Sequence, residues 1–310
     1  MSVASGSTAT ATTVTADTRT GYRGRFAPSP SGALHLGSLA AALGSWLDAR
    51  AHGGTWLIRI EDLDAARVAP GAADTMVRTL AGLGLESDEP ILVQSTRRDA
   101  HEAAFRQLAE EQLTYPCACT RRHTAAGPYA GTCRNGPQGQ PPWAWRLRLP
   151  ATEQCGFEDA FQGLCQFHFQ QLGDPVLRRR DGLIAYQLAV VVDDGFQGIT
   201  DIVRGADLLD ATAWQLQIRR HLSLPEVRHG HLPLVEGPDG RKLSKSESAA
   251  SIATLAPGEA LVEALRALRQ SPPEGLSREP PGVVLSWATT HWNPSVLRLT
   301  EKPEVQFDPF

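Results

Sequence analysis

The chain has 310 residues, with 30 Lys+Arg against 34 Asp+Glu and a formal net charge of −4. At 42% hydrophobic and 21% charged residues it reads as a globular protein with room for two or three domains, and its charge balance excludes binding nucleic acid by bulk positive charge, leaving only a local basic face open. Five cysteines, few and odd in number, exclude a disulfide scaffold and point to free thiols or a metal.

Residues 1–20 are mostly Ser, Thr, Ala, Gly and Val, without a basic start or a continuous apolar run, so a disordered tail is expected rather than a secretory signal. Order is expected from about Gly21. Residues 22–27 predict a short strand, stopped by Pro28 and Pro30, with Gly32 opening a turn. From Leu36 to Arg50 small and apolar residues recur at helical spacing, and His52-Gly53-Gly54 closes the helix. Residues 56–60 predict a second strand, interrupted by Arg59 and followed by Glu61-Asp62-Leu63-Asp64. A strand, a helix and a strand in succession open a parallel α/β sheet. Helices are expected over 71–83 and 98–112.

Between Pro116 and Pro142 the composition shifts to cysteine, glycine and proline, which predicts an inserted module. Residues 143–149 alternate like a strand. The longest apolar run, Leu183 to Val192, is a buried strand or short helix; it is far below the ~20 residues a bilayer span needs. A strand over 199–203 and a helix over 207–222 follow. Residues 237–251 are loop-rich, with helical stretches at 259–269 and 283–291.

No Walker A loop or GxGxxG is present, so ordinary P-loop and dinucleotide readings lack their fingerprints. Residues 25–38 instead place His35 at the start of a helix, where free N–H groups and the dipole favour phosphate. Gly37, without a Cβ, would let a planar ring approach the backbone. A second feature lies in the basic residues. Only three are lysines, and two of these, Lys242 and Lys245, stand within four positions in LysLeuSerLysSer, 242–246. A compact mobile ammonium suits a charge that follows phosphate through a reaction, where a guanidinium is a wide planar fork. Cys117, Cys119 and Cys133 are close enough in a Gly/Pro-rich loop to clamp a structural Zn²⁺. General chemistry favours His123 as the fourth ligand. Cys155 and Cys165 fit no ligand pattern.

Taken together, residues 25–38 and 242–246 resemble the two signatures of class I aminoacyl-tRNA synthetases, HIGH and KMSKS. The segments RFAPSPSG, IRIEDLD at 58–64, DGLIAYQLAVVVDD at 181–194 and IVRGADL at 202–208 are similar to the glutamyl branch. Ser38 replaces the final His of HIGH, Leu243 replaces Met, and Ser31 stands where many relatives have Thr. Full glutamyl-tRNA synthetases continue into a large helical anticodon-binding region, whereas this chain reaches Phe310 soon after Ser246. In that respect, and in its Cys-x-Cys…Tyr-x3-Cys pattern, it resembles the short glutamyl-Q family.

The resemblance implies an α/β fold: a Rossmann-type parallel-sheet class I synthetase catalytic domain with an inserted zinc-bearing module and a helical C-terminal stub. It implies a tail over 1–20, catalytic halves over 21–112 and 181–225, a zinc-binding module over 113–180, and the KLSKS loop with a helical region over 226–310. The implied activity is ATP-dependent activation of L-glutamate without tRNA, then transfer to queuosine in the anticodon loop of tRNA(Asp). His35 and Lys245 would be catalytic, and His35, Gly37, Ser38, Lys242 and Lys245 would bind ATP with Mg²⁺. Arg25, Phe26, Ala27, Pro28, Ser29, Glu61, Tyr186 and Arg204 would bind glutamate. Cys117, Cys119 and Cys133 would hold zinc, with Tyr129 in the place that general chemistry offers to His123. A cytoplasmic monomer is expected. The competing expectations are a truncated synthetase charging a tRNA 3′ end and a non-catalytic binding paralogue.

Overall fold

The computed structural model describes residues 21–120, 127–137, 139–150, 154–235, 252 and 254–299. Strand β1 (Arg23–Phe26) lies parallel to β2 (Thr55–Ile60), with Arg25 opposite Leu57 and Phe26 opposite Ile58. Helix α1 (Leu36–Ala51) links them and packs against β1. Side chains on a strand alternate between faces. Accordingly Trp56, Ile58 and Ile60 join one apolar cluster with Leu39, Leu43 and Leu47 of α1, while Leu57 belongs to another with Ile202. The three α1 leucines are fully buried, each contributing about 1.5–3 kcal/mol by removal from water. Arg59 and Glu61 follow Leu57 at intervals of two, so they fall on its face.

The chain continues through α2 (Ala72–Gly82), β3 (Leu92–Val93), α3 (Arg98–Glu110), β4 (Thr114–Cys117) and β5 (Ala144–Leu147). Next come β6 (Gln154–Asp159), β7 (Gly163–His168), α4 (Phe169–Leu172) and β8 (Val176–Arg178). Helix α5 (Tyr186–Phe196), β9 (Asp201–Gly205), α6 (Leu209–His221) and β10 (Arg228–Leu232) complete the sheet region, and α7 (Pro257–Ala267) and α8 (Pro281–Thr290) follow. The large sheet has the order β3-β2-β1-β9-β10-β6-β7 and is parallel except for the β6–β7 hairpin. From β1 the chain winds outward one way through β2 and β3, and the other way through β9 and β10. The reversal between β1 and β9 is a topological switch point, where α/β proteins hold ligands at the carboxyl ends of the strands.

The run Leu183 to Val192, open between strand and helix in the sequence, divides: Ile184 makes a bridge with Arg178, and Tyr186 starts α5. Helix α5 packs against α3 and α6, which explains its near-continuous apolar composition. The strand expected over 199–203 begins later, at Asp201. Strands β6, β7 and β10 carry too little apolar alternation to be predicted. Strands β4, β5 and β8 form a separate three-stranded sheet, while the β6–β7 hairpin extends the large one, so residues 113–180 contribute to both. Helix α7 packs on α1 and α8, burying Leu261 and Leu265. Among the described residues no helix is long and apolar enough to cross a membrane.

Candidate active site and metal centre

The segment after β1 crosses the strand ends at the switch point. Its backbone is tied down where Glu61 N–H donates to Pro28 O (2.9 Å) and Ala69 N–H to Pro30 O (2.9 Å). It delivers His35 as the N-cap of α1, where the imidazole Nδ1 accepts from the Ser38 backbone N–H at 3.1 Å. Nδ1 is thereby the acceptor, so in the neutral ring Nε2 carries the proton, toward Ser38 Oγ at 2.8 Å. A Cβ on Gly37 would lie 3.2 Å from this ring. The close approach that glycine permits here is therefore made first by the chain's own His35.

A cleft of about 340 Å³ opens at this point. It is lined by Arg25 to Ser29, His35, Gly37, Ser38, Tyr186 and Arg204, which brings together most of the residues expected from the sequence. Glu61 faces an adjoining recess of about 160 Å³ that shares Ser29, Ser31 and Tyr186 with the cleft. Lys242 and Lys245 lie outside the described residues; Leu234 and Val235, shortly before them, line the cleft.

The charges in this region fall into two groups. Arg25 donates from Nε to Asp194 Oδ1 (3.0 Å), and Arg59 donates from Nη1 to the same oxygen (2.8 Å) and from Nη2 to Glu61 Oε1 (3.1 Å). All four are buried. Burial pushes Glu61 above the usual carboxylate range, against the pull of Arg59 and Arg25. Burial works in the same sense on Asp194, but there the two arginines prevail and hold it well below that range. Arg25, expected to bind glutamate, donates from Nε and Nη2 to Asp194. Arg204 is different. Its guanidinium meets Gln215 Oε1 (2.7 Å), Thr212 Oγ1 (2.7 Å), Leu208 O (3.2 Å) and His231 Nε2 (3.2 Å). Among the described residues no carboxylate lies within ion-pair distance of it.

Asp62 and Asp64, which follow Glu61, are tied into the fold. Asp62 accepts from Ser95 N–H (2.7 Å) and Oγ (2.6 Å), and Asp64 pairs with Arg179 (2.6 Å) and Arg67 (3.0 Å). Arg179 also pairs with Asp181 (2.6 Å), so the Arg178-Arg179-Arg180 run is partly committed within the chain.

At the end of β4 the three thiols of Cys117, Cys119 and Cys133 lie within 4.8 Å of one another. Tyr129 Oη sits 3.5 Å from Cys117 Sγ and accepts from Cys133 N–H at 2.7 Å. Burial, and then Cys117 and Cys133, push the Cys119 thiol up to about 12. Three clustered thiols, two of them buried and Cys119 partly exposed, are unfavourable as thiolates alone and well suited to a soft or borderline divalent cation; a fourth donor, Tyr129, already adjoins them. The donor set fits zinc. His123 lies outside the described residues. Arg146 stacks on Tyr129 and donates to Cys117 Sγ at 3.3 Å, which gives the cluster a cationic support. Cys155 and Cys165 are buried in the β6–β7 hairpin, apart from this cluster.

Nothing local in the sequence marks Asp194, the partner of Arg25 and Arg59, or His231, which meets Arg204, as supports of the site. Arg59 is a charge inside an apolar strand, and its partner Asp194 ends the segment DGLIAYQLAVVVDD.

The family model for tRNA synthetases class I (E and Q), catalytic domain, matches residues 22–126 and 130–270. The glutamyl-Q tRNA(Asp) synthetase of Dechloromonas aromatica is 49% identical over 283 residues, covering 87% of this chain and 94% of that one. The protein of the same name from Pseudomonas fluorescens is 46% identical, covering 94% and 99%. A solved glutamate-tRNA ligase from Elizabethkingia meningosepticum shares the fold, with a TM-score of 0.74 at 23% identity over 90% of this chain and 66% of that one, just under two thirds of its length. With the switch-point cleft and this breadth of similarity, the chain belongs to the class I tRNA synthetase family for E and Q, in the group whose curated members are called glutamyl-Q tRNA(Asp) synthetases.

Proposed function

We propose that the chain activates L-glutamate with ATP, without tRNA, and transfers the glutamyl group to queuosine in the anticodon loop of tRNA(Asp). The observation that carries this reading is one continuous cleft joining the His35 end of α1 to Arg204, a buried guanidinium held by neutral acceptors. A phosphate-binding end and a carboxylate-binding end in one space suit adenylation of an acidic amino acid. The names of the relatives support the acceptor.

In this reading the α-carboxylate of glutamate attacks the α-phosphorus of ATP and pyrophosphate leaves. Little proton chemistry is required, so catalysis rests on positioning and charge stabilisation. His35, with Gly37 and Ser38, and Lys242 and Lys245 from the KLSKS loop, bind the nucleotide, and His35 and Lys245 follow the charge that develops on its phosphates. Glu61 takes the substrate ammonium, Tyr186 stands between the recess and the cleft, and Arg204 takes the side-chain carboxylate. Arg25 to Ser29 form the wall between them. Mg²⁺ bound with ATP would neutralise phosphate oxygens. Cys117, Cys119, Cys133 and Tyr129 would hold a structural zinc. The enzyme would act as a cytoplasmic monomer.

Two assays test the reading. Glutamate-dependent ATP–pyrophosphate exchange without tRNA is expected, with Lys245→Ala reducing it about 10²–10³-fold, the usual cost of one such contact. Labelled glutamate is then expected on tRNA(Asp) carrying queuosine and absent from the same tRNA lacking it. Absence of exchange would leave a binding protein, and label on the 3′ end of tRNA(Glu) would make the chain an ordinary charging enzyme.

A further inference from the structure

Three buried arginines surround the site, and they are held in two different ways. Arg25 and Arg59 are neutralised by Asp194 and Glu61. Arg204 is held by an amide oxygen, a hydroxyl, a backbone carbonyl and an imidazole nitrogen. The last of these is set by strand register. In the parallel β9–β10 pair His231 stands opposite Arg204, and β10 in turn pairs with β6, whose last residue is Asp159.

Asp159 Oδ2 lies 2.6 Å from His231 Nδ1, while its Oδ1 accepts from the backbone N–H groups of Phe161, Gln162 and His231. A carboxylate engaged in this way is an acceptor only, so His231 Nδ1 carries the proton and Nε2 presents its lone pair. That lone pair meets Arg204 Nε at 3.2 Å, with Thr212 Oγ1 also 3.2 Å away. Burial, and then the Arg204 charge, hold His231 below the usual histidine range, with Asp159 acting in the opposite sense; the ring is neutral at physiological pH. The negative charge of Asp159 is thus kept one imidazole away from the guanidinium.

We propose that His231, fixed by Asp159, is a positioning residue that orients Arg204 without neutralising it, and so sets the preference of the site for a carboxylate side chain over a carboxamide. This rests on the glutamate reading given above. A carboxylate in direct contact with Arg204 would satisfy the cation before substrate arrived; a neutral acceptor leaves its charge for the ligand, where a charge-assisted bond is about twice as strong as a neutral one.

The test is ATP–pyrophosphate exchange by the full chain, reading KM for glutamate, KM for ATP, kcat and the inhibition constant of glutamine. His231→Asn keeps a donor near Asp159 but does not reach Arg204. His231→Gln places its side-chain oxygen near the Nε2 position. The Asn variant is expected to raise KM for glutamate about tenfold to a hundredfold with KM for ATP unchanged. The Gln variant is expected to recover most of that loss. Gln215→Glu, almost the same shape, puts a carboxylate on Arg204 Nη1; glutamate is expected to weaken about tenfold or more while glutamine does not. The inference falls if Gln215→Glu leaves the glutamate-to-glutamine ratio unchanged, or if both His231 variants alter ATP and glutamate parameters alike. A wild-type protein with no glutamate-dependent exchange would overturn the glutamate reading itself, and this inference with it.

Discussion

Arg25 donates from Nε to Asp194 Oδ1 at 3.0 Å and from Nη2 to Oδ2 at 3.4 Å. Oδ1 also takes Arg59 Nη1 at 2.8 Å, so one carboxylate on α5 balances cations from two adjacent strands. The arrangement follows from strand periodicity. Arg25 sits in register with Leu57, and Leu57 shares a face with Arg59, so both guanidinium groups point to the same side of the sheet. Arg25 lines the cleft, and the charged layer it belongs to is held together by a residue of α5.

Removing that charge leaves two buried cations short of a partner. Asp194→Asn is expected to lower unfolding free energy by about 3–5 kcal/mol, read from urea denaturation at neutral pH. Burial raises the pKa of Asp194, but Arg25 and Arg59 outweigh it and leave the group depressed. Its stabilisation is thus complete above the unfolded value of about 3.9 and is lost as pH falls through the lower folded value. The wild-type protein should show this acid loss and the Asn variant should show less of it. Equal midpoints for the two proteins would mean that the layer is not held by this charge.

Glu61 is shifted the other way, because burial outweighs Arg59 and Arg25. Its effect on stability has the opposite sign, present below the unfolded value and lost as pH rises through the folded one. Its effect on binding follows from its charge, since only the carboxylate holds an ammonium. KM for glutamate is expected to rise on acidification at a pH above the usual glutamate value of about 4.3. Glu61→Gln should raise KM at neutral pH, converge with the wild type at the acid end and abolish that limb. A limb that persists in the variant would assign the titration elsewhere.

Gly37→Ala separates stability from activity. An added Cβ would lie 3.2 Å from the His35 ring, so the imidazole must shift by a few tenths of an ångström. Alanine in a helix is favoured over glycine by up to about 1 kcal/mol, which should leave the melting temperature unchanged or slightly raised. The ring is displaced slightly over the start of α1, and KM for ATP is expected to rise several-fold while KM for glutamate stays constant. An unchanged KM for ATP would show that the position of His35 over Gly37 is not used for nucleotide.

How far the sequence reveals this site depends on chain separation. The turn from Arg25 to Ser38 is legible because proline, glycine and a helix start act within a few residues. The charge layer is not, since Arg59 meets Asp194 across 135 positions and His231 meets Asp159 across 72. Only the β10–β6 pairing brings the latter together, and β6 has a single glycine and two acids in its six residues, hiding its strand character. Arg59 was legible as an anomaly without a partner. The Cys117, Cys119 and Cys133 cluster was legible because its spacing is short, whereas the support of Cys117 by Arg146 comes from a neighbouring strand and was not.

That cluster yields the last expectation. Three thiols and Tyr129 Oη around one point should bind one zinc per chain, measured by elemental analysis of the purified protein. Chelation should lower the melting temperature, because little else packs this part of the chain: the local apolar cluster comprises Tyr115, Cys117 and Cys133 with Cys119 and Tyr129 beside them. Cys119→Ser should reduce zinc content strongly. Tyr129→Phe separates two roles for the phenol. If Oη is a ligand, the variant binds zinc more weakly in competition with a chromophoric chelator. If Oη serves only as acceptor for Cys133 N–H, zinc affinity is unchanged while stability falls by about 1–3 kcal/mol for the orphaned donor. The expected outcome is the weaker binding, and unchanged affinity would return the fourth position to another donor.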